Sequence, residues 1–340
     1  MLQSAIQANP ASPPALAFAP AVVAGPEKLS PAARAEIQAL SGHRPERFLA
    51  ELAVTWLVIA AAIWVGVQAS NILVTLLCIC FIGIRQMVLG LLLHEQVHRL
   101  GLRGKYGDWI VNCLVVYPLF ATTVEDYAKI HLSHHKYFMT KKDPDFIRKS
   151  GADWTFPMRL GRVLRILALD LTGLNTIQLI KGKTGKAGME EFIRQNPSPL
   201  WLRIGYYAVL AAALTWLGGW TIFLIYWVVP VLTVTQVGVR WVAVIEHQYN
   251  VEDSEVLQVT PLIRLKWWQR ILFPDLNFAM HAYHHLHPGV SFANLPRVHE
   301  IYQRERLVDD KAVFDGQGAF VKFLLGLALT DEPRQGHAKT

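Results

Sequence analysis

Charge is what this sequence has least of. Only 17% of its 340 residues are Asp, Glu, Lys or Arg, where soluble domains carry roughly a quarter. With 52% of residues apolar, the deficit excludes an ordinary water-soluble globule and points to a membrane protein. Cysteine is scarce as well. Cys78 and Cys80 sit inside an apolar run, Cys113 stands alone, and none forms a CxxC pair. That excludes a disulfide framework, a cysteine-built zinc site and a cysteine-held iron–sulfur cluster, and leaves packing roles. A glycine-rich dinucleotide fingerprint is missing. So is a basic-led apolar leader, because Pro10, Pro13, Pro14 and Pro20 break the early apolar stretches. Residues 1–28 read as a disordered Ala/Pro-rich tail. The net charge of +7 needs no nucleic acid, since basic cytoplasmic loops of a membrane protein account for it.

Long hydrophobic runs are present instead. From Leu52 to Ile84 there is no charged residue, more than the roughly 20 residues of one span. Gln68, Ser70 and Asn71 divide the run into spans over 50–69 and 72–93. A second pair covers 200–217 and 220–240, with Gly218-Gly219 as its turn. The Lys/Arg-rich stretch 94–199 between the pairs belongs on the cytoplasmic side. Two hairpins then put both termini and this stretch on one face, with a bacterial inner membrane as the setting. The run 109–122, carrying Pro118, is too short to span and predicts a re-entrant or interfacial helix. Residues 318–329 predict a packed or interfacial helix. Ser30 and Pro31 start a short helix reaching Leu40. Arg85 and Arg240, near span ends, are expected to snorkel to the headgroups. The expected fold is an all-α membrane protein: a single domain over 29–340, with four transmembrane helices in two hairpins and a cytoplasmic helical cap.

Nine of the thirteen histidines form a pattern. His94 and His98 flank Glu-Gln-Val; His131, His134 and His135 make a second box; His281, His284 and His285 make a third. His247 follows Glu246. Residues i, i+3 and i+4 share a helix face, so each box aims its imidazoles into one volume. Neutral imidazole suits iron, copper, zinc and nickel. The second span ends at His94 and the fourth near His247, on the side that holds the other two boxes. Nine ligands are too many for one metal and reasonable for two.

These boxes resemble those of the membrane fatty acid desaturase superfamily, which includes hydroxylases and ketolases. The resemblance covers roughly 50–305 and extends to Tyr137–Phe146 with Asp143-Pro144-Asp145, to His284-His285-Leu286-His287-Pro288, and to Asn294-Leu295-Pro296. The resemblance implies a fatty acyl or other lipid-like chain as substrate; a bacterial branch similar to dihydrorhizobitoxine desaturase handles small amino-acid-derived substrates, so the boxes do not restrict the substrate to fatty acids. The resemblance implies two iron ions held by His94, His98, His131, His134, His135, His247, His281, His284 and His285, with O₂ as oxidant. It also implies an external electron donor. With no redox motif in the chain, that donor is a ferredoxin or b-type cytochrome, which the basic surface would steer. One position departs: Ala243 stands where stearoyl-type desaturases carry an Asn, and Glu246-His247 looks more like membrane alkane hydroxylases. Hydroxylation by the same centre is therefore the alternative to desaturation.

Other readings attach to single features. His94-Glu95-Gln96-Val97-His98 is also a literal HExxH zinc-protease motif, and a protein that stores or passes metal would also cluster histidine. A zincin leaves six histidines unexplained. His287-Pro288-Gly289 partly resembles a haem motif and ends the third box. Candidates to orient ligand imidazoles from behind are Glu95, Asn277, Asp143, Asp145 and His287, with Asp126 a further one. His43, His299 and His337 read as surface residues.

Overall fold

The computed structural model describes residues 18–175, 177 and 194–327. Helix dominates, and the two-residue strands Ile263–Arg264 (β1) and Phe314–Asp315 (β2) pair in parallel. Most of the expected tail, residues 1–17, lies outside the described residues. From Ala21 the chain is packed: Ala21, Val22 and Leu29 are buried in a cluster with Tyr283, Val298 and Tyr302. The apolar residues between the prolines give this part of the tail something to bury. Ser30 caps helix α1, Pro31–Leu40, by accepting the Ala33 amide.

Two long helices follow, α2 at Pro45–Ala69 and α3 at Ile72–Val97. Ser70 turns between them in the left-handed region (φ 46°), and Asn71 caps α3 by accepting from Leu73 and Val74. Both helices outrun the apolar stretches at the ends nearest the histidines. Pro45 starts α2 with a polar turn, and α3 carries His94 inside its last turn rather than beyond it. Next come α4 at Gly107–Leu119 and α5 at Val124–Lys136, bent 88° from one another. After them lie α6, Pro144–Lys149, and α7, Leu160–Leu171. The second hairpin is α8, Leu200–Trp216, and α9, Trp220–Glu246. The cap closes with α10, His281–Leu286, α11, Leu295–Arg304, and α12, Gly316–Leu324.

α2, α3 and α9 are long and apolar enough to cross a membrane. At 17 residues, α8 reaches about 26 Å against a hydrocarbon core of about 30 Å. None of its residues is buried, as suits a helix bathed in lipid. The chain is an all-α membrane protein. Its spans are held by the close approach and internal hydrogen bonds that replace hydrophobic burial in lipid. Trp56 stacks on Trp227 at 5.2 Å. Gln86, fully buried, donates to the Trp227 carbonyl and accepts from Thr235 Oγ1, which lies 2.8 Å from its Oε1. α4 is re-entrant. Its backbone carbonyls are met by side chains of three spans: Trp56 Nε1 on Leu114, Tyr207 on Tyr117 and Trp227 Nε1 on Pro118. Irregular backbone at membrane depth is tolerated where protein satisfies it in this way.

Three expectations change. Arg240 does not snorkel: it is bonded to Asp170 of α7 and stacks over Trp154. Arg85 pairs with Glu51 of α2 at 3.3 Å. Cys80 is exposed on the outer face of α3, while Cys78 is buried. The α12 segment packs through Phe320, Phe323 and Leu324; residues 328 and 329 lie outside the described residues. The tightest helix contact is at Gly83, where an added Cβ would stand 2.6 Å from Val234 Cβ and 3.2 Å from the Thr235 backbone nitrogen. Gly83→Val should therefore part α3 from α9 and cost about 1–3 kcal/mol, read as a lower thermal unfolding midpoint in detergent.

Candidate metal centre

The site is assembled where two spans stop. α3 ends with His98 as its C-cap residue, and α9 ends with His247 in the same position. His94 faces inward one turn before the end of α3. α5 contributes His131, His134 and His135 from one face, and the short α10 contributes His281, His284 and His285. The sequence spacing works here because 94/98, 131/134/135 and 281/284/285 each lie on a single helix or at its cap.

Eight imidazoles form two groups whose ligand atoms lie within 4.8 Å of one another: His94, His98, His131, His135 and His284 in one, and His134, His247 and His285 in the other. His281 belongs to neither group but borders the second, its ring centroid 4.8 Å from those of His247 and His285. In the first group the Nε2 atoms form a chain, His98 to His131 at 2.9 Å, His131 to His135 at 3.0 Å and His135 to His284 at 3.1 Å. In the second, His247 Nε2 lies 3.4 Å from His134 Nε2 and 3.0 Å from His285 Nε2.

Hydrogen bonding alone does not account for these contacts. A neutral imidazole nitrogen has either one proton or one in-plane lone pair, so it can serve one partner. Four nitrogens in a chain make at most two hydrogen bonds, yet three contacts are present. A shared cation accepts every lone pair. Two nitrogens bound to one first-row metal at roughly 2.1 Å would stand about 3.0 Å apart at a right angle and about 3.4 Å apart at a tetrahedral one. The observed separations fall on that range. His94 adds a second sign, since both its ring nitrogens are buried with no hydrogen-bond partner among the described residues. The donor set fits metal. Burial, and then neighbouring imidazoles, hold His281, His284 and His285 well below the usual histidine range. They are neutral at pH 7, the state in which histidine binds metal.

Two rings are oriented from behind. Asp143, fully buried, accepts from His134 Nδ1 at 2.9 Å. The same carboxylate accepts the Met139 and Asp145 amides, so it caps α6 and fixes a ligand together. Thr260 Oγ1 lies 2.8 Å from His247 Nδ1, fixing that ring with Nε2 toward the cluster. Sequence reasoning missed Thr260: it sits thirteen residues past His247, outside any helix, where no spacing marks it.

The other candidates lie elsewhere. Glu95 is buried and accepts the Phe292 amide weakly, at 3.4 Å, so it is not solvated. Asn277 does not share a helix face with His281. It adopts a left-handed conformation (φ 62°) before a 3₁₀ turn, and its amide is spent on Arg270 and the Phe292 carbonyl. Asp145 binds Arg148 and Lys149 rather than an imidazole. Burial opposes its ionisation, but these two cations hold its carboxyl well below the usual range. His287 Nε2 bonds Tyr302, and the following Gly289 carbonyl accepts the Gly42 amide. Asp126 is exposed and pairs with Lys129. His43 is exposed, whereas His299 is buried against the Tyr283 hydroxyl. His337 lies outside the described residues.

A cavity of about 520 Å³ opens onto the cluster. His94, His131, His134 and His281 border it. Met87, Leu91, Leu119, Val231, Val239 and Val242 make much of its wall apolar, and Ala243 and Glu246 line it beside the ligands. Asp143→Asn keeps the size and the cap but weakens the hold on His134. It is expected to lower metal affinity about 10- to 100-fold, measured as metal retained after dialysis against a graded chelator.

Residues 70–315 match the fatty acid desaturase family. No curated protein matches the chain. The matched span includes all nine histidines and most of the helices that present them; with well over half of the chain covered, the protein belongs to the fatty acid desaturase family.

Proposed function

We propose that this chain is an O₂-dependent di-iron desaturase acting on a fatty acyl or other lipid-like chain, with its site on the cytoplasmic side of the membrane. The observation that carries this reading is the pair of imidazole groups opening directly onto a largely apolar cavity. All nine histidines would hold the metals, five and three from the two groups, with His281 beside the second. Two irons would supply the oxidising power for an unactivated alkyl chain. In the balanced reaction, the chain loses two hydrogens to form a double bond. O₂ takes these hydrogens, two electrons and two protons, and leaves as two waters. The protein's part is to hold, orient and exclude. Val231, Val239 and Val242 of α9 and Met87 and Leu91 of α3 offer the chain a dry wall. Asp143 and Thr260 keep two ligand rings turned to the metals. Electrons enter from a separate donor, a ferredoxin or b-type cytochrome.

Ala243 supports a second reading. It is buried on the cavity wall, one turn before His247, and offers no polar contact, so oxygen insertion by the same centre stands beside desaturation. Product analysis under ¹⁸O₂ separates the two: desaturation leaves no label in the product, and hydroxylation leaves one atom. His134→Ala and His284→Ala are each expected to lose iron and abolish turnover. Full activity in either would disprove the assignment, and exchangeable zinc without oxidation would replace it.

A further inference from the structure

The segment between Leu160 and Ile177 is too short and too near three arginines to read as a membrane element. Its contacts say otherwise. Val163 and Ile166 of α7 pack in one cluster with Val244 and Ile245, at the inner end of α9. Beyond α7, a Cβ added at Gly173 would stand 3.2 Å from the Leu232 carbonyl and 4.0 Å from Leu232 Cβ. Leu232 lies fourteen residues before Glu246, about 21 Å along the helix, close to the middle of that span. Going from residue 163 to 173, the chain therefore descends beside α9 to mid-membrane depth.

The side chains of α7 suit that path. Only Ile166 and Asp170 are buried. Leu160, Leu164 and Leu171 are 55%, 56% and 49% exposed, and their spacing of four and seven puts them on one helix face. Arg159, Arg162 and Arg165 crowd the upper end, where long basic side chains can reach headgroups. From Ile166 to Ile180 the sequence has one charge, Asp170. Asp170 is neutralised by Arg240 of α9 and also accepts from Asn175. Arg240 Nη1 is buried with no partner among the described residues, and Asp170 is buried. Asp153, Trp154, Asp170 and Asn175 all line the cavity. Through Asp170 and Asn175 the segment forms part of the cavity wall.

We propose that α7 is a half-span embedded in the bilayer, its outer leucines against acyl chains, and that it forms a displaceable wall through which substrate passes from the leaflet into the cavity. Acyl chains are the fitting occupant of its outer face because that face carries exposed leucines while the chain just beyond it lies against Leu232 at mid-span. One buried apolar side chain, Ile166, and one ion pair are a thin attachment, and displacement needs little else to be broken. The entry route rests on reading the cavity as the substrate site; the embedding does not.

The test uses the full chain in lipid nanodiscs. Leu164→Cys and Leu171→Cys are labelled with a lipid-soluble maleimide and with a membrane-impermeant one. Lys141→Cys, at a side chain 83% exposed, serves as the aqueous reference, and the native cysteines give the baseline. Labelling of Leu164→Cys and Leu171→Cys by the soluble reagent alone is expected. Labelling of Leu171→Cys by the impermeant reagent at the Lys141→Cys rate would place the helix in water and overturn the proposal. Failure of both reagents would mean that protein covers the face, and would overturn it equally. For the wall, Gly173→Cys with Leu232→Cys brings Cβ atoms to a disulfide-forming separation. Oxidation should slow binding of a fluorescent polyene fatty acid at least tenfold, restored by reductant, in iron-free and loaded protein alike. Unchanged binding would sink the entry route. Absence of fatty acid binding in both redox states would count against the proposed function while the labelling result still decides the embedding.

Discussion

The centre of this structure answers to one constraint: a buried imidazole nitrogen can satisfy a single partner in its ring plane. Nine such rings share one volume, and their Nε2 atoms meet at distances that mutual hydrogen bonds cannot all satisfy. The arrangement fits lone pairs converging on cations. The scaffold must then aim the rings without help from the rings themselves. It does so with helix ends, which are stiff and close together, and with partners on the far nitrogen of His134 and His247. The bundle's own hold is separate, resting on stacked tryptophans, a buried glutamine and a glycine contact.

How much of this the sequence discloses depends on the distance over which information is written. The boxes are local, three to five residues each, so helix periodicity alone reveals them. The spans are equally plain, because apolar runs need no partner to be recognised. Asp143 was readable as a candidate because it follows its box closely. Thr260 was not, since nothing nearby repeats. Asn277 misled because four residues before His281 means one helix face only if the helix is continuous, and a left-handed residue interrupts it.

The same lesson applies at longer range to α7. Its twelve residues carry two arginines, with a third at its N-cap, and by composition it belongs in water. The deciding fact is an ion pair between residues seventy positions apart. A single carboxylate in an otherwise uncharged stretch reads as a sign of solvent until its partner is known. Once paired, it is a fastening inside the membrane. Arg240, read alone, was equally ambiguous for the same reason.

One consequence lies in α9. The cavity is bordered by this helix from Val231 to Glu246, fifteen residues or about 22 Å of axial rise, and the residue after Glu246 is a candidate ligand. The wall is therefore graduated. A rod-like molecule laid against it is registered by position along a scale whose zero is the histidine cluster. What such a wall discriminates is length more than bulk, and exchanging a valine for a larger side chain at Val231 or Val239 would move a stop along that scale.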